Sequence, residues 1–396
     1  GPEGLEILAL DACDFASVSE DITVAVVDAV IDWRHPDLVD NIWQNLAEDA
    51  DGDGSVLFWN GSQWEFDPDD INGIDEDGNG YVDDFIGWDF VNNDNDPSDD
   101  HQFGHGTHVA GIIAARGNNG IGITGVSWRS QIMALKFLDV NGSGFTGDAI
   151  AALRYAQMGA DLSNHSWGGG FFSQALRDEL ILAQQAGMIC VAAAGNNFGN
   201  DNDEAPLYPA SYDLDNVISV SATDPVDSLA PFANRGLNSV DLCAPGYGIY
   251  STLPGGQYGF LNGTSMAAPF VTGALALLKS QRPTLGVEQM RQQLLRSVQP
   301  LPSLRGICAT EGRLDLLALL QRPLQRGLPG NVYAGASLSD GNLIAAGDYQ
   351  DSLWVAALRR DGQVFWSLRQ QEGRWNAATA APNGDVWLGG QSNGTV

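Results

Sequence analysis

A chain of 396 residues, 44% of them hydrophobic, can bury one large core with a smaller domain beside it. Its 50 acidic and 19 basic side chains give a net charge of −31, which repels phosphate and excludes nucleic acid as a partner. No run approaches about 18 consecutive apolar residues, so no membrane helix is expected. The opening residues show neither a basic nor an apolar segment, so no signal peptide is read there; a processed mature form and an appended Gly1-Pro2 are the two readings.

Residues 22–28 (ITVAVVD) form a continuous β-branched run ending in an acid, which predicts a buried parallel strand. Residues 41–100 are rich in Asp, Asn and Gly and read as a long ordered insertion that needs help to hold one conformation. From Gly104 the pattern alternates. Helices are predicted at HGTHVAGIIAA, 147–158, 175–187 and 264–281, and strands at 132–137, 188–195, 217–222 and 239–246. Such alternation predicts the α/β class, a parallel sheet with helices on both faces. Residues 323–331 (PLQRGLPGN) read as a linker. Short aromatic strands follow, and SLSDGNLIAAG is similar to TAAPNGDVWLGG at an offset of 43 residues, the spacing of a propeller blade. Cys13, Cys190, Cys243 and Cys308 show no metal spacing. Cys190 and Cys243 read as buried thiols, with a disulfide left open.

Four short motifs carry chemistry. In GTSMAAP (263–269), Ser265 stands where a glycine turn enters an apolar helix, so the helix N-terminus favours its hydroxyl and its own N–H faces a developing oxyanion; an ordinary N-cap serine is the alternative. In GHGTHVAG (104–111), His105 lies among glycines and is reachable as a general base. His108 reads as packing or hydrogen bonding, and zinc is disfavoured because the i, i+3 pair lacks the HExxH acid. Asp28 ends a strand, where an acid can hold an imidazole in one tautomer, whereas Asp32 falls beyond the strand and reads as a turn residue. Asn196, after VAAAG, can donate its amide to an oxyanion or simply make a turn.

The acidic segment offers cation ligands. DEDGNGYVDD (75–84) supplies Asp75, Asp77 and Asn79, then the carbonyl of Tyr81 and the carboxylate of Asp83 or Asp84, in the opening pattern of an EF-hand loop. Ile86 stands where an EF-hand has its final Glu, so this is not an EF-hand domain. Asp49, Asp51 and Asp53 form a second candidate. Clustered carboxylates repel unless a cation such as Ca²⁺ neutralises them, although a solvated acidic turn is the plain alternative for both.

Taken in the order Asp, His, Asn, Ser, and with HPDL (35–38), HSWGGG (165–170), YPASYDLDNVISV (208–220) and DLCAPG (241–246), these motifs resemble the subtilisin-like serine proteases over about residues 5–320. The resemblance implies a catalytic domain at 1–322 carrying the acidic insertion, and a β-rich segment at 323–396. It implies a calcium-stabilised endopeptidase in which Ser265 attacks, His105 moves the proton, Asp28 orients His105 and Asn196 stabilises the oxyanion. Ser166, Trp167 and Gly168 resemble the strand that pairs with an extended substrate. Ala193, Ala194 and Gly195 resemble the other wall of the specificity pocket and Leu207 its base, so medium apolar or aromatic side chains are expected before the cut. Asp37 and Asn119 resemble a further calcium site. Protein or peptide substrates, a cleaved inhibitory propeptide, a monomer and an extracellular location are implied as well. The family has Ser or Thr and then Gly after the catalytic Asp, whereas Ala29 and Val30 stand here, which lowers the expected activity. A ligase or macrocyclase on the same fold, and a weakly active binding module, are the alternatives.

Overall fold

The computed structural model describes residues 22–29, 31–98 and 104–321, with the backbone of six strands between 331 and 391. Val30, Cys13 and residues 323–330 of the expected linker lie outside the described residues, while its last residue, Asn331, begins a strand. β1 (Thr23–Asp28) is buried at every position, as a β-branched run flanked on both sides must be. The acidic segment holds a hairpin, β2 (Leu57–Trp59) with β3 (Trp64–Phe66), and then β4 (Gly87–Asp89). α1 (His105–Ala114), β5 (Gln131–Lys136), α2 (Thr146–Ala156), β6 (Leu162–His165), α3 (Gln174–Gln185), β7 (Ile189–Ala193) and β8 (Val217–Thr223) follow, all expected except β6, whose short and mostly polar run LSNH carries no strand signal. β9 (Leu242–Pro245) is shorter than expected, because Ser239 lies in a turn. The hairpin of β10 (Ile249–Leu253) and β11 (Gln257–Leu261) leads into α4 (Thr264–Gln281). α5 (Val287–Arg296), β12 (Gln299–Pro300), β13 (Gly312–Arg313) and α6 (Leu316–Gln321) follow.

Nine strands form one sheet in the order β12-β13-β9-β8-β7-β6-β1-β5-β4, parallel except for the β12–β13 pair. The acidic segment is therefore not wholly outside the core, since β4 is the edge strand. A buried ion pair ties it there: Lys136 Nζ on β5 lies 3.1 Å from Asp89 Oδ2 on β4. From β1 the chain reaches β5 on one side and β6 on the other, and this reversal of winding opens a crevice at the carboxyl ends of the strands. α4 is buried from Thr264 through Leu278 apart from Phe270, which fits its apolar character all round. Gly273 sets its close approach, since a Cβ there would lie 2.7 Å from Val126.

The chain divides into two compact units at Leu320/Gln321. In the second, β14 (Asn331–Ser337), β15 (Leu343–Tyr349), β16 (Ser352–Leu358) and β17 (Val364–Gln371) form an antiparallel sheet, and β18 (Arg374–Ala380) pairs with β19 (Val386–Gln391). β18 and β19 begin 43 residues after β14 and β15. The register irregularity recurs at the same offset, at Val332/Ala334 and Trp375/Ala377.

Candidate active site

The side chains singled out in the sequence gather at the carboxyl ends of the central strands. Asp28 is the last residue of β1 and His105 the first of α1, and Nδ1 of His105 lies 2.7 Å from Oδ1 of Asp28. Asp28 is fully buried, whereas a quarter of the His105 side chain reaches solvent. The same Oδ1 accepts the Ala29 N–H at 2.7 Å, while Oδ2 is buried without a hydrogen-bond partner. His108, on the same helix, is buried and its Nε2 faces the carbonyls of Ile249 and Gly259 at 3.0 and 3.2 Å. It therefore anchors α1 to the β10–β11 hairpin. Asp32 is half-buried and accepts the Gly255 N–H at 2.8 Å, so it braces the same hairpin.

Ser265 opens α4 as its second residue, 9% exposed, with Oγ 3.0 Å from the carbonyl of Ser166. Its own carbonyl would normally bond the N–H four residues on, but that residue is Pro269. Ser166 Oγ donates to it instead, at 2.8 Å. Asn196 follows β7, and its Oδ1 accepts the Thr264 N–H at 3.0 Å and the Thr264 hydroxyl at 3.1 Å. With the oxygen held, Nδ2 is left to face outward, 3.3 Å from where a Cβ on Gly263 would stand. Thr264 also accepts the Gly195 N–H at 3.0 Å. Sequence reading gave Thr264 no such role, for nothing local marks a threonine that holds two loops.

Ala29, His105, Ser166, Trp167 and Gly168 line one open cleft of about 450 Å³. Leu207 meets Gly168 and Gly195: a Cβ added to either glycine would lie 2.6 Å from its Cδ2. Its side chain therefore fills the space between the two walls rather than only flooring it. Ala193 is buried, and Ala194 packs into a cluster with Val240, Cys243, Leu304 and Cys308, on the core side of the wall. Cys243 and Cys308 are free thiols 3.8 Å apart, and Cys190 is free and buried.

Of the five candidate ligands in the 75–84 loop, Asp77 and Asp83 join acidic clusters, one in each. Asp77 comes within 4.8 Å of Glu48 and Asp84, and Asp83 within the same limit of Glu48 and Glu76. Asp75 has both oxygens taken by the N–H groups of Gly78, Asn79 and Gly80. Asn79 Nδ2 donates to Asp77 at 3.0 Å and to Asp84 at 2.9 Å. The Tyr81 ring packs on Trp88, Phe90 and Tyr155, which leaves only its carbonyl as a possible donor atom. Glu48 and Asp84 are fully buried. Burial, with the Glu76 side chain next, pushes Glu48 up to about 7, and burial pushes Asp84 up to about 6. Buried carboxylates crowded in this way suit a hard cation with oxygen ligands. Glu48 and Glu76 were not foreseen; Glu48 precedes Asp75 by 27 residues and no spacing rule reaches it.

Asp49, Asp51 and Asp53 do come together, within 4.8 Å. Asp37 and Asn119 are paired at 2.7 Å, but the other Asp37 oxygen accepts from the Ile123 N–H and the Tyr258 hydroxyl, each at 2.9 Å. Protein donors thus reach both oxygens of that carboxylate, as they do those of Glu48.

The α/β fold thus places an acid–imidazole pair at the end of β1, and the serine at the start of α4 bonds the carbonyl of Ser166, which lines the same cleft as His105. A model of the Subtilase family matches residues 19–319, and the chain belongs to that family. It is 38% identical over 284 residues to the thermophilic serine proteinase of Bacillus sp. strain AK1, covering 71% of this chain and 58% of that one. Subtilisin-like protease 1 of Plasmodium falciparum is 36% identical over 313 residues, covering 74% and 42%. Thermitase of Thermoactinomyces vulgaris is 44% identical over 196 residues, covering 49% and 67%. The chain thus spans about half the length of the first two relatives. A crystal structure of a cold-adapted subtilisin-like serine proteinase superposes with a TM-score of 0.58 at 27% identity, covering 76% of this chain and 90% of that one.

Proposed function

We propose that the chain is a serine endopeptidase acting through an acyl-enzyme. The observation that carries this reading is the 2.7 Å contact between buried Asp28 and His105, with Ser265 Oγ 3.0 Å from the carbonyl of Ser166, which lines the same cleft as His105. Ser265 Oγ attacks the scissile carbonyl as His105 takes its proton, and His105 then delivers that proton to the leaving amine. Asp28 holds the imidazole in one tautomer. The Asn196 Nδ2 group and the Ser265 N–H receive the oxyanion. Residues 166–168 pair with the extended substrate backbone. Leu207 restricts the side chain before the cut to small and medium aliphatic groups, which narrows the sequence expectation by removing aromatics. Leu207→Gly raises kcat/KM for an aromatic residue at that place by about tenfold or more, from the usual worth of a few methylenes in an apolar pocket; an unchanged peptide-library profile refutes the role.

Calcium is the fitting cation for the acidic segment, held by Glu48, Asp77 and Asp84, and by Glu76 and Asp83. Bound there, it neutralises the crowded carboxylates and stabilises the folded state. Activity outside the cytoplasm, as a monomer released from an inhibitory propeptide, fits this calcium dependence. Among the described residues no helix is long and apolar enough to cross a membrane. The second unit is proposed as one and a half blade-like repeats, from the 43-residue recurrence of strand and bulge.

Hydrolysis of casein and labelling by a fluorophosphonate test the reading, and both are lost in Ser265→Ala. Products that carry added water identify hydrolysis, and products without it identify ligation.

A further inference from the structure

The acidic segment contains the same turn twice. Asp49–Ser55 and Asp75–Tyr81 are offset by 26 residues, and their backbones fold alike. Gly52 and Gly54 have φ of 77° and 95°, against 74° and 97° for Gly78 and Gly80. In the first turn the N–H groups of Gly52 and Gly54 bond the two oxygens of Asp49 at 2.8 and 2.9 Å. In the second, those of Gly78 and Gly80 bond the two oxygens of Asp75 at 2.7 and 2.9 Å. Asp53 N–H bonds Asp51 as Asn79 N–H bonds Asp77, both at 2.9 Å.

The likeness extends to a distant carboxylate. Glu48 Oε1 accepts the N–H groups of Glu76 and Asp77, at 3.1 and 3.4 Å. At the matching place in the first turn, Asp70 Oδ1 accepts those of Ala50 and Asp51, at 2.8 and 3.3 Å. Asp70 is fully buried, and its other oxygen, Oδ2, has no hydrogen-bond partner. A buried carboxylate oxygen without a donor is costly, and it stands here against a turn whose three other acids lie within 4.8 Å of one another.

We propose that Asp49, Asp51, Asp53 and Asp70 form a second divalent-cation site of the calcium class, in which Asp70 does for the first turn what Glu48 does for the second. The hairpin β2–β3 carries the chain out between Ser55 and Asp67 and so returns Asp70 to the turn. This rests on the calcium reading of the segment, and the test separates the two.

The full chain carrying Ser265→Ala, stripped of metal, is titrated with calcium chloride by calorimetry. Asp70→Asn, which keeps one acceptor oxygen, lowers the number of bound equivalents by one. Asp53→Ala, at an exposed position away from the core, repeats that loss. Glu48→Gln removes binding of its own, and the Glu48→Gln/Asp70→Asn pair adds the two losses. Parental stoichiometry and affinity in both Asp70→Asn and Asp53→Ala overturns the proposal while a Glu48→Gln loss leaves the calcium reading standing. No change in any of the three overturns both.

Discussion

Asp28 directs both of its short contacts to one oxygen. Oδ1 receives His105 and the Ala29 N–H, while Oδ2 is sealed from water with nothing to accept. An unmet buried acceptor costs about 1–3 kcal/mol. Ala29→Ser places a hydroxyl beside that oxygen, and we expect kcat/KM to rise several-fold, up to about tenfold for 1.4 kcal/mol. An unchanged kcat/KM and melting temperature would show that the hydroxyl finds no such partner. His108 gives a second residue-scale prediction. Burial lowers it from 6.5 to about 4, and burial lowers His165 likewise to about 4. Between those values the unfolded chain binds protons that the folded chain refuses. The contribution of these two histidines is therefore full above pH 6.5 and falls as pH drops toward 4, each unit being worth about 1.4 kcal/mol per group, while the raised Glu48 and Asp84 act with the opposite sign until calcium holds them ionised. Denaturant midpoints of the Ser265→Ala chain across this range measure the slope, and His108→Gln makes it shallower.

At the scale of elements, α4 depends on a hydroxyl from another strand end. Pro269 cannot answer the Ser265 carbonyl, and Ser166 does so from the loop after β6. Ser166→Ala leaves that carbonyl without a partner in a buried setting, a cost of about 1–3 kcal/mol, and displaces Ser265. Adding Pro269→Ala restores a backbone donor, so the double variant regains stability; additive losses in a double-mutant cycle would refute the link. Lys136 pairs with Asp89 in the same buried way, and Lys136→Met destabilises by about 3–5 kcal/mol because a lone buried carboxylate remains. Most elements of the first unit and the positions of His105 and Ser265 at helix starts were legible in the sequence because their signals are local. ITVAVVD announces a buried strand, and glycines flank the helix starts that carry His105 and Ser265. What was not legible is made by return of the chain. Glu48 reaches the 75–84 loop from 27 residues away, Asp70 comes back through a hairpin, and β4 joins the sheet by pairing with β5. The space taken by Leu207 was hidden too, because a residue's place in a motif says nothing of where its side chain turns.

For the whole molecule, a charge of −31 opposes compaction, and the acidic segment concentrates the strain. Removing calcium with EDTA is expected to lower the melting temperature and to speed self-digestion in the active chain. At 100 times the dissociation constant each bound ion contributes about 2.7 kcal/mol. Sodium chloride screens charge without supplying ligands, so failure of calcium to outperform it at equal ionic strength would refute specific sites. The two similar turns carry one last consequence. Glu48 and Asp49 are consecutive, yet Glu48 braces the second turn while Asp49 opens the first. A single peptide plane thus forms a party wall, and an ion on one side pre-aligns the donors on the other. Saturation should be steeper than for independent tenants, so that the scaffold stiffens over a narrow span of ambient calcium rather than by degrees.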